Sequence, residues 1–172
     1  MSYTWLKEEK SPKILVEAVK HIGTKEIVGK QHNKKILEWA EAIGLKSVYT
    51  NDEIPWCGLF IAYCCHAQGL DIVKHPLWAL NWNKFGNVAQ VPMLGDVLTF
   101  TRNGGGHVGI YVGEDTTCYH VLGGNQNNQV NVMRIEKSRL SQARRTAWKI
   151  AQPSNVRVVK LETKGEISQN EA

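Results

Sequence analysis

The chain has 172 residues, a formal net charge of +5, an apolar share of 42% and a charged share of 22%. That is the make-up of an ordinary soluble globular protein, long enough for one well-buried core and short for two. No window holds the roughly eighteen consecutive apolar residues of a membrane helix, and the basic residues lack the interleaved aromatics of a nucleic-acid platform.

Residues 1–10 are polar and lack the apolar stretch of a signal peptide, so the chain is expected to be made in the cytoplasm and to need other machinery for export. Ser11-Pro12 reads as the cap and first residue of a helix whose apolar face is Ile14, Leu15, Ala18, Val19 and Ile22, ended by Gly23. A second helix is predicted from His32 to Ile43, with Ile36, Leu37, Trp39, Ala40 and Ile43 inward and Gly44 past its end. An acidic connection through Asp52 and Glu53 leads to Pro55-Trp56-Cys57-Gly58 and an apolar third helix stopped by Gly69. A short helical turn after Pro76 carries Trp78 and Trp82. Strands follow at 97–100, 107–112, 118–122, 130–135 and 146–150. Helices first and short antiparallel strands afterwards give α+β architecture. The layout is one domain over 1–153, with a helical layer at 11–85 and a sheet at 94–150. Residues 154–172 are expected to form a frayed tail.

The chemistry concentrates at Cys57. A thiol in a helix's first turn faces unpaired N–H groups and the positive end of the dipole, which favour thiolate. Gly104-Gly105-Gly106 then hinges His107 into a strand, which makes it the best base; a cysteine at a helix start with a histidine at a strand start is a cysteine-hydrolase arrangement. The orienting group lies in Gly123-Gly124-Asn125-Gln126-Asn127-Asn128. Strand alternation selects Asn125, with Gln126 on the opposite face, although the same residues are also turn formers. Gln126 and Asn127 are kept as substrate contacts. Trp56 is expected to form a partly exposed wall of the cleft, and Trp78 to lie at the cleft rim or in the core. The four cysteines (57, 64, 65 and 118) are too few and too oddly spaced for a disulfide framework. A zinc site from Cys57, Cys64, Cys65 and His66 fails because helix neighbours point about 100° apart. Asp52 and Glu53 read as a solvated loop that could hold a cation or place substrate. No cofactor is expected.

Trp56-Cys57 opening a helix, Gly95-Asp96-Val97 at the first strand, Gly106-His107-Val108-Gly109 on the second and Gly123-Gly124-Asn125-Gln126 after the third resemble the NlpC/P60–CHAP superfamily of cysteine peptidases and amidases, in its small bacterial and phage branch. Arg145 and Trp148 fit the same branch. The resemblance runs from about Glu26 to Ile150 and implies a papain-like fold, with helices on a curved antiparallel sheet of about five strands. It implies hydrolysis of a peptidoglycan amide, in the stem peptide or between muramic acid and L-alanine, with Cys57 as nucleophile, His107 as base and Asn125 as third member. A monomeric phage endolysin reaching the wall through a holin lesion is the favoured form. A machine-exported antibacterial effector, an acyltransferase and a non-catalytic wall-binding module are the alternatives.

Overall fold

The computed structural model describes residues 2–169 and Glu171; the remainder of the expected frayed end, at Asn170 and Ala172, lies outside the described residues. The first half folds into α1 (Lys13–Val19), α2 (Lys34–Ala42) and α3 (Cys57–Ala67). Asn33 caps α2 by accepting the Lys35 N–H through its side chain. The buried Asp52 carboxylate ties the loop ahead of α3 to this corner, accepting the Ile27 and Asn33 N–H groups and meeting His32 Nδ1 at 2.9 Å. Asp52 is therefore a structural brace, not part of a solvated loop.

α3 has no polar face along most of its length, and its residues from Cys57 to Ala62, with Cys64 and Cys65, are all buried. Such a helix belongs inside; it packs against α1 and α2 and against the sheet. All four cysteines are free and buried. No helix among the described residues is long and apolar enough to cross a membrane.

The sheet is antiparallel and open, with six strands in the order β1-β6-β2-β3-β4-β5. They are β1 (Asn87–Val88), β2 (Val97–Arg102), β3 (Gly105–Glu114), β4 (Cys118–Gly123), β5 (Asn131–Glu136) and β6 (Leu140–Arg145). Two features differ from the sequence expectation. The last strand is 140–145 and not 146–150, and a two-residue strand pairs on its far side. β6 carries no apolar alternation because guanidinium groups stabilise it instead. Arg145 forks onto Asp96 at 2.8 Å, and Arg144 Nε donates to the Phe85 carbonyl.

Both faces of the sheet are apolar. Val97, Val108, Ile110 and Leu122 face the helices, while Leu98, Phe100, Tyr111, Tyr119, Val121 and Ile135 form a second core. An apolar face cannot be left to water, and the segment after Pro153 covers it. Glu114 N–H donates to the Val159 carbonyl, Leu161 N–H donates to Glu114, and Ser168 N–H donates to Arg134, each at 2.8 Å. The expected frayed tail is in this respect a strap, because the sheet has a second face to bury.

The turn after β4 passes over the start of α3 at Gly124, where a Cβ would fall 2.7 Å from Phe60 Cβ and 2.8 Å from two ring carbons of Trp56. Gly124→Ala should cost about 1–3 kcal/mol by overpacking. Urea unfolding followed by far-UV circular dichroism reads this as a lower midpoint. An unchanged midpoint would mean that the turn can lift away from α3.

Candidate active site

Cys57 is the first residue of α3, and its sulfur faces the backbone N–H groups of Cys57, Gly58 and, from across the interface, Val108. Val108 follows His107 directly on β3, so the fold sets the thiol one peptide unit from the histidine backbone. Residues 76–77 lie against the helix start, with the Pro76 carbonyl oxygen 2.1 Å from where a Gly58 side chain would begin. Cys57 is 4% exposed and His107 1%.

His107 sits opposite Phe100 in the β2–β3 register, and the two rings stack with centroids 6.5 Å apart. Its Nε2 lies 3.0 Å from Gln126 Oε1. The amide orientation follows from its other end, where Gln126 Nε2 has the Val121 carbonyl, the Asn131 carbonyl and Asn131 Oδ1 as acceptors at 3.1, 2.8 and 2.9 Å. With Nε2 committed as donor, Oε1 must accept, so His107 carries its proton on Nε2 and presents Nδ1 as the basic nitrogen.

The orienting amide is thus Gln126, and Asn125 does not take the place the strand alternation gave it. β4 ends at Gly123, and Asn125 has φ +56°, in the left-handed region that asparagine tolerates and a strand does not use. The turn rotates Gln126 beneath His107. Asn125 is buried without a bond to His107 among the described residues, and Asn127 (φ +52°) is exposed on the turn.

Trp56 also differs from expectation, and Trp78 lies outside the core. Trp56 is fully buried, its ring against Gly124 and its Nε1 donating to Glu26 Oε2 at 3.1 Å. It caps α3 with its ring turned into the core and lines no cleft. Trp78 and Trp82 lie at the start and within a 3-10 segment, Ala79–Lys84. At three residues per turn, positions four apart diverge by about 120°. Trp78 is accordingly 75% exposed, and Trp82 is buried with Nε1 on the Pro76 carbonyl.

The electrostatics run against the simple helix-dipole expectation. Burial pushes the Cys57 thiol up, and the Val108, Gly58 and Cys57 N–H groups with the Arg102 charge oppose it without prevailing. Burial likewise drives His107 down to about 4, against the upward pull of the Glu171 carboxylate and the Gln126 bond. Burial thus holds both groups neutral, the thiol under the Val108 N–H and the imidazole between Phe100 and Gln126. Sequence reading missed Glu171 and Arg139, which are paired beside His107; nothing local in the sequence marks either one. Among the described residues no cluster of three or more His, Cys, Asp or Glu side chains could hold a metal ion.

Comparison with protein-family models finds no match, and no curated protein matches the chain significantly.

His107 makes a testable contribution to acid stability. Its folded pKa of about 4 lies below the free-imidazole value of 6.5, so the unfolded chain binds the extra proton between these limits. The stability it provides is complete above pH 6.5 and lost as pH falls toward about 4. By linkage the loss is about 3 kcal/mol. His107→Gln should flatten the acid side of the stability curve by that amount in urea titrations. A variant curve parallel to wild type would show that the imidazole titrates normally in the fold.

Proposed function

We propose that this chain is a cysteine amidohydrolase with a papain-like NlpC/P60–CHAP domain, cutting an amide bond of bacterial peptidoglycan in the manner of a phage endolysin. One observation carries the reading: Cys57 starts a buried helix with its thiol under the Val108 N–H of β3, and His107, the residue before Val108, has its tautomer fixed by Gln126 so that Nδ1 is the basic nitrogen. A thiol nucleophile needs a base, an orienter for that base and oxyanion donors. The first two are Nδ1 of His107 and Gln126, and the N–H groups of the α3 first turn are the natural donors. The peptidoglycan substrate rests on the motifs around these residues, and the positive net charge suits an anionic wall.

In this mechanism His107 Nδ1 takes the Cys57 proton as sulfur attacks the amide carbonyl, and the N–H groups of the helix start hold the oxyanion. The tetrahedral intermediate expels the amine, which leaves with the proton from His107. Water, deprotonated by the same nitrogen, then hydrolyses the thioester and restores the thiol. Gln126 accepts from Nε2–H throughout and steadies the imidazolium during each transfer.

Cys57→Ala should abolish release of amine-bearing muropeptides, read by mass spectrometry of digested wall, with the fold intact. Gln126→Ala should lower kcat roughly 10- to 1000-fold with a smaller change in KM, while Asn125→Ala stays within a fewfold of wild type. An active Cys57→Ala sinks the nucleophile. A crippled Asn125→Ala beside a normal Gln126→Ala would return the third position to Asn125.

A further inference from the structure

The strap brings Glu171 beside the imidazole. Glu171 is 1% exposed, and its carboxylate forks onto Arg139, with Oε1 2.8 Å from Nη1 and Oε2 2.7 Å from Nη2. Ser168 Oγ also donates to Oε1 at 2.8 Å. Arg139 is fixed in turn, its Nε donating to the Thr101 carbonyl and its Nη1 to the Ser168 carbonyl, each at 3.1 Å. Thr101 pairs with Gly106, the residue before His107. Burial is the strongest single influence on Glu171 and opposes ionisation, but the Arg139 pair, His107 and the Ser168 bond together prevail and hold the carboxyl below its ordinary range. Next to this pair opens a pocket of about 410 Å³ lined by Thr101, Arg102, Asn103, Arg139 and Gln169. Arg102 donates from Nε to the Gly106 carbonyl, and its charge acts on both Cys57 and His107. A guanidinium held in a rigid fork is the geometry that recognises carboxylates bidentately.

We propose that the Arg139 fork is a carboxylate-binding subsite flanking His107, occupied at rest by Glu171 of the chain's own strap and taken over by a substrate carboxylate. The proposal deepens the reading of the site as an amidohydrolase and names its substrate class, an acyl compound with a free carboxylate close to the scissile amide. Beyond its Ile167 bridge to Arg134, the described residues of the strap are held by polar bonds: Ser168 to the Arg134 carbonyl, to Arg139 and to Glu171, and Glu171 to Arg139. Such a segment opens locally at far lower cost than the fold. Exchange of one carboxylate for another keeps the guanidinium paired at both ends of the process, which avoids leaving a desolvated charge unpaired. It also couples opening of the imidazole side to arrival of a ligand of the right charge.

The test uses the full chain and needs no turnover. Diethyl pyrocarbonate modification of His107, mapped by mass spectrometry, should be at least tenfold faster in Glu171→Ala than in wild type. Cys64 and Cys65, fully buried in α3, should stay unreactive to iodoacetamide and so report an intact fold. N-acetylglutamate at millimolar concentration should protect His107 in Glu171→Ala, and adding Arg139→Gln should remove the protection. Should Glu171→Ala unfold, Glu171→Gln, which keeps the shape and loses the charge, should still show faster modification than wild type. Unchanged His107 modification in a folded Glu171 variant would overturn the proposal, as would protection that survives loss of Arg139. Protection by N-acetylglutamate through Arg139, in a protein that releases nothing from wall, would uphold the subsite and defeat the hydrolase reading alone.

Discussion

The start of α3 can reach the sheet because the chain crossing it, at Gly123 and Gly124, has no side chains. A Cβ at Gly124 would fall within the Trp56 ring and Phe60, and one at Gly123 would fall 2.7 Å from Gln126 Oε1 and 3.3 Å from His107 Nε2. That one close approach sets the rest of the site. It presses the Trp56 ring into the core, brings the Cys57 sulfur under the Val108 N–H, and leaves the following turn just enough room to place Gln126 against His107. The glycines thus act through the volume they leave empty, Gly124 beside Trp56 and Phe60 and Gly123 beside Gln126 and His107.

The same closeness decides the charge state. A helix start contributes partial positive charge of a magnitude that favours a thiolate by about 0.3–1 kcal/mol, rising to ~2 in buried settings. Removing a charge from water costs several kcal/mol even after relaxation. At Cys57 burial is the larger effect, so the thiol is raised although three N–H groups face it. His107 is depressed for the same reason. A helix N-terminus therefore activates a cysteine only when water or a polar ligand shares the site. In the proposed enzyme, a resting state of two neutral groups protects the sulfur until the cleft is opened.

How much of this was legible in the sequence depends on the range of the interaction involved. The three helices and four of the strands follow from local apolar periodicity and from punctuation such as Gly23, Gly44 and Gly69, and they were found within a few residues. The places of Cys57 at a helix start and His107 on a strand were legible because their settings, proline before a helix and glycines before a strand, are local too. Gln126 was misassigned because strand alternation was extended past Gly123 into residues at φ +56° and +52°. β6 was missed because its stabilising partners, Asp96 for Arg145 and Phe85 for Arg144, are 49 and 59 positions away. The strap was missed for a related reason. Its composition is that of a loose end, and only the second apolar face of the sheet explains why it docks.

An amide against His107 has a consequence for the imidazole. Gln126 must donate from Nε2 to two main-chain carbonyls that close its own turn, at Val121 and Asn131, and a carboxylate in that place would set an oxygen against both. The turn therefore demands an amide, and the amide gives His107 direction without negative charge. Among the described residues, the carboxylate acting on the ring belongs instead to Glu171, on the strap. Orientation and charge, which one acidic residue would combine, are here divided between the turn that carries Gln126 and the strap that carries Glu171. A substrate carboxylate that replaced Glu171 on Arg139 would restore the missing charge beside His107 and favour the imidazolium that forms when Cys57 gives up its proton.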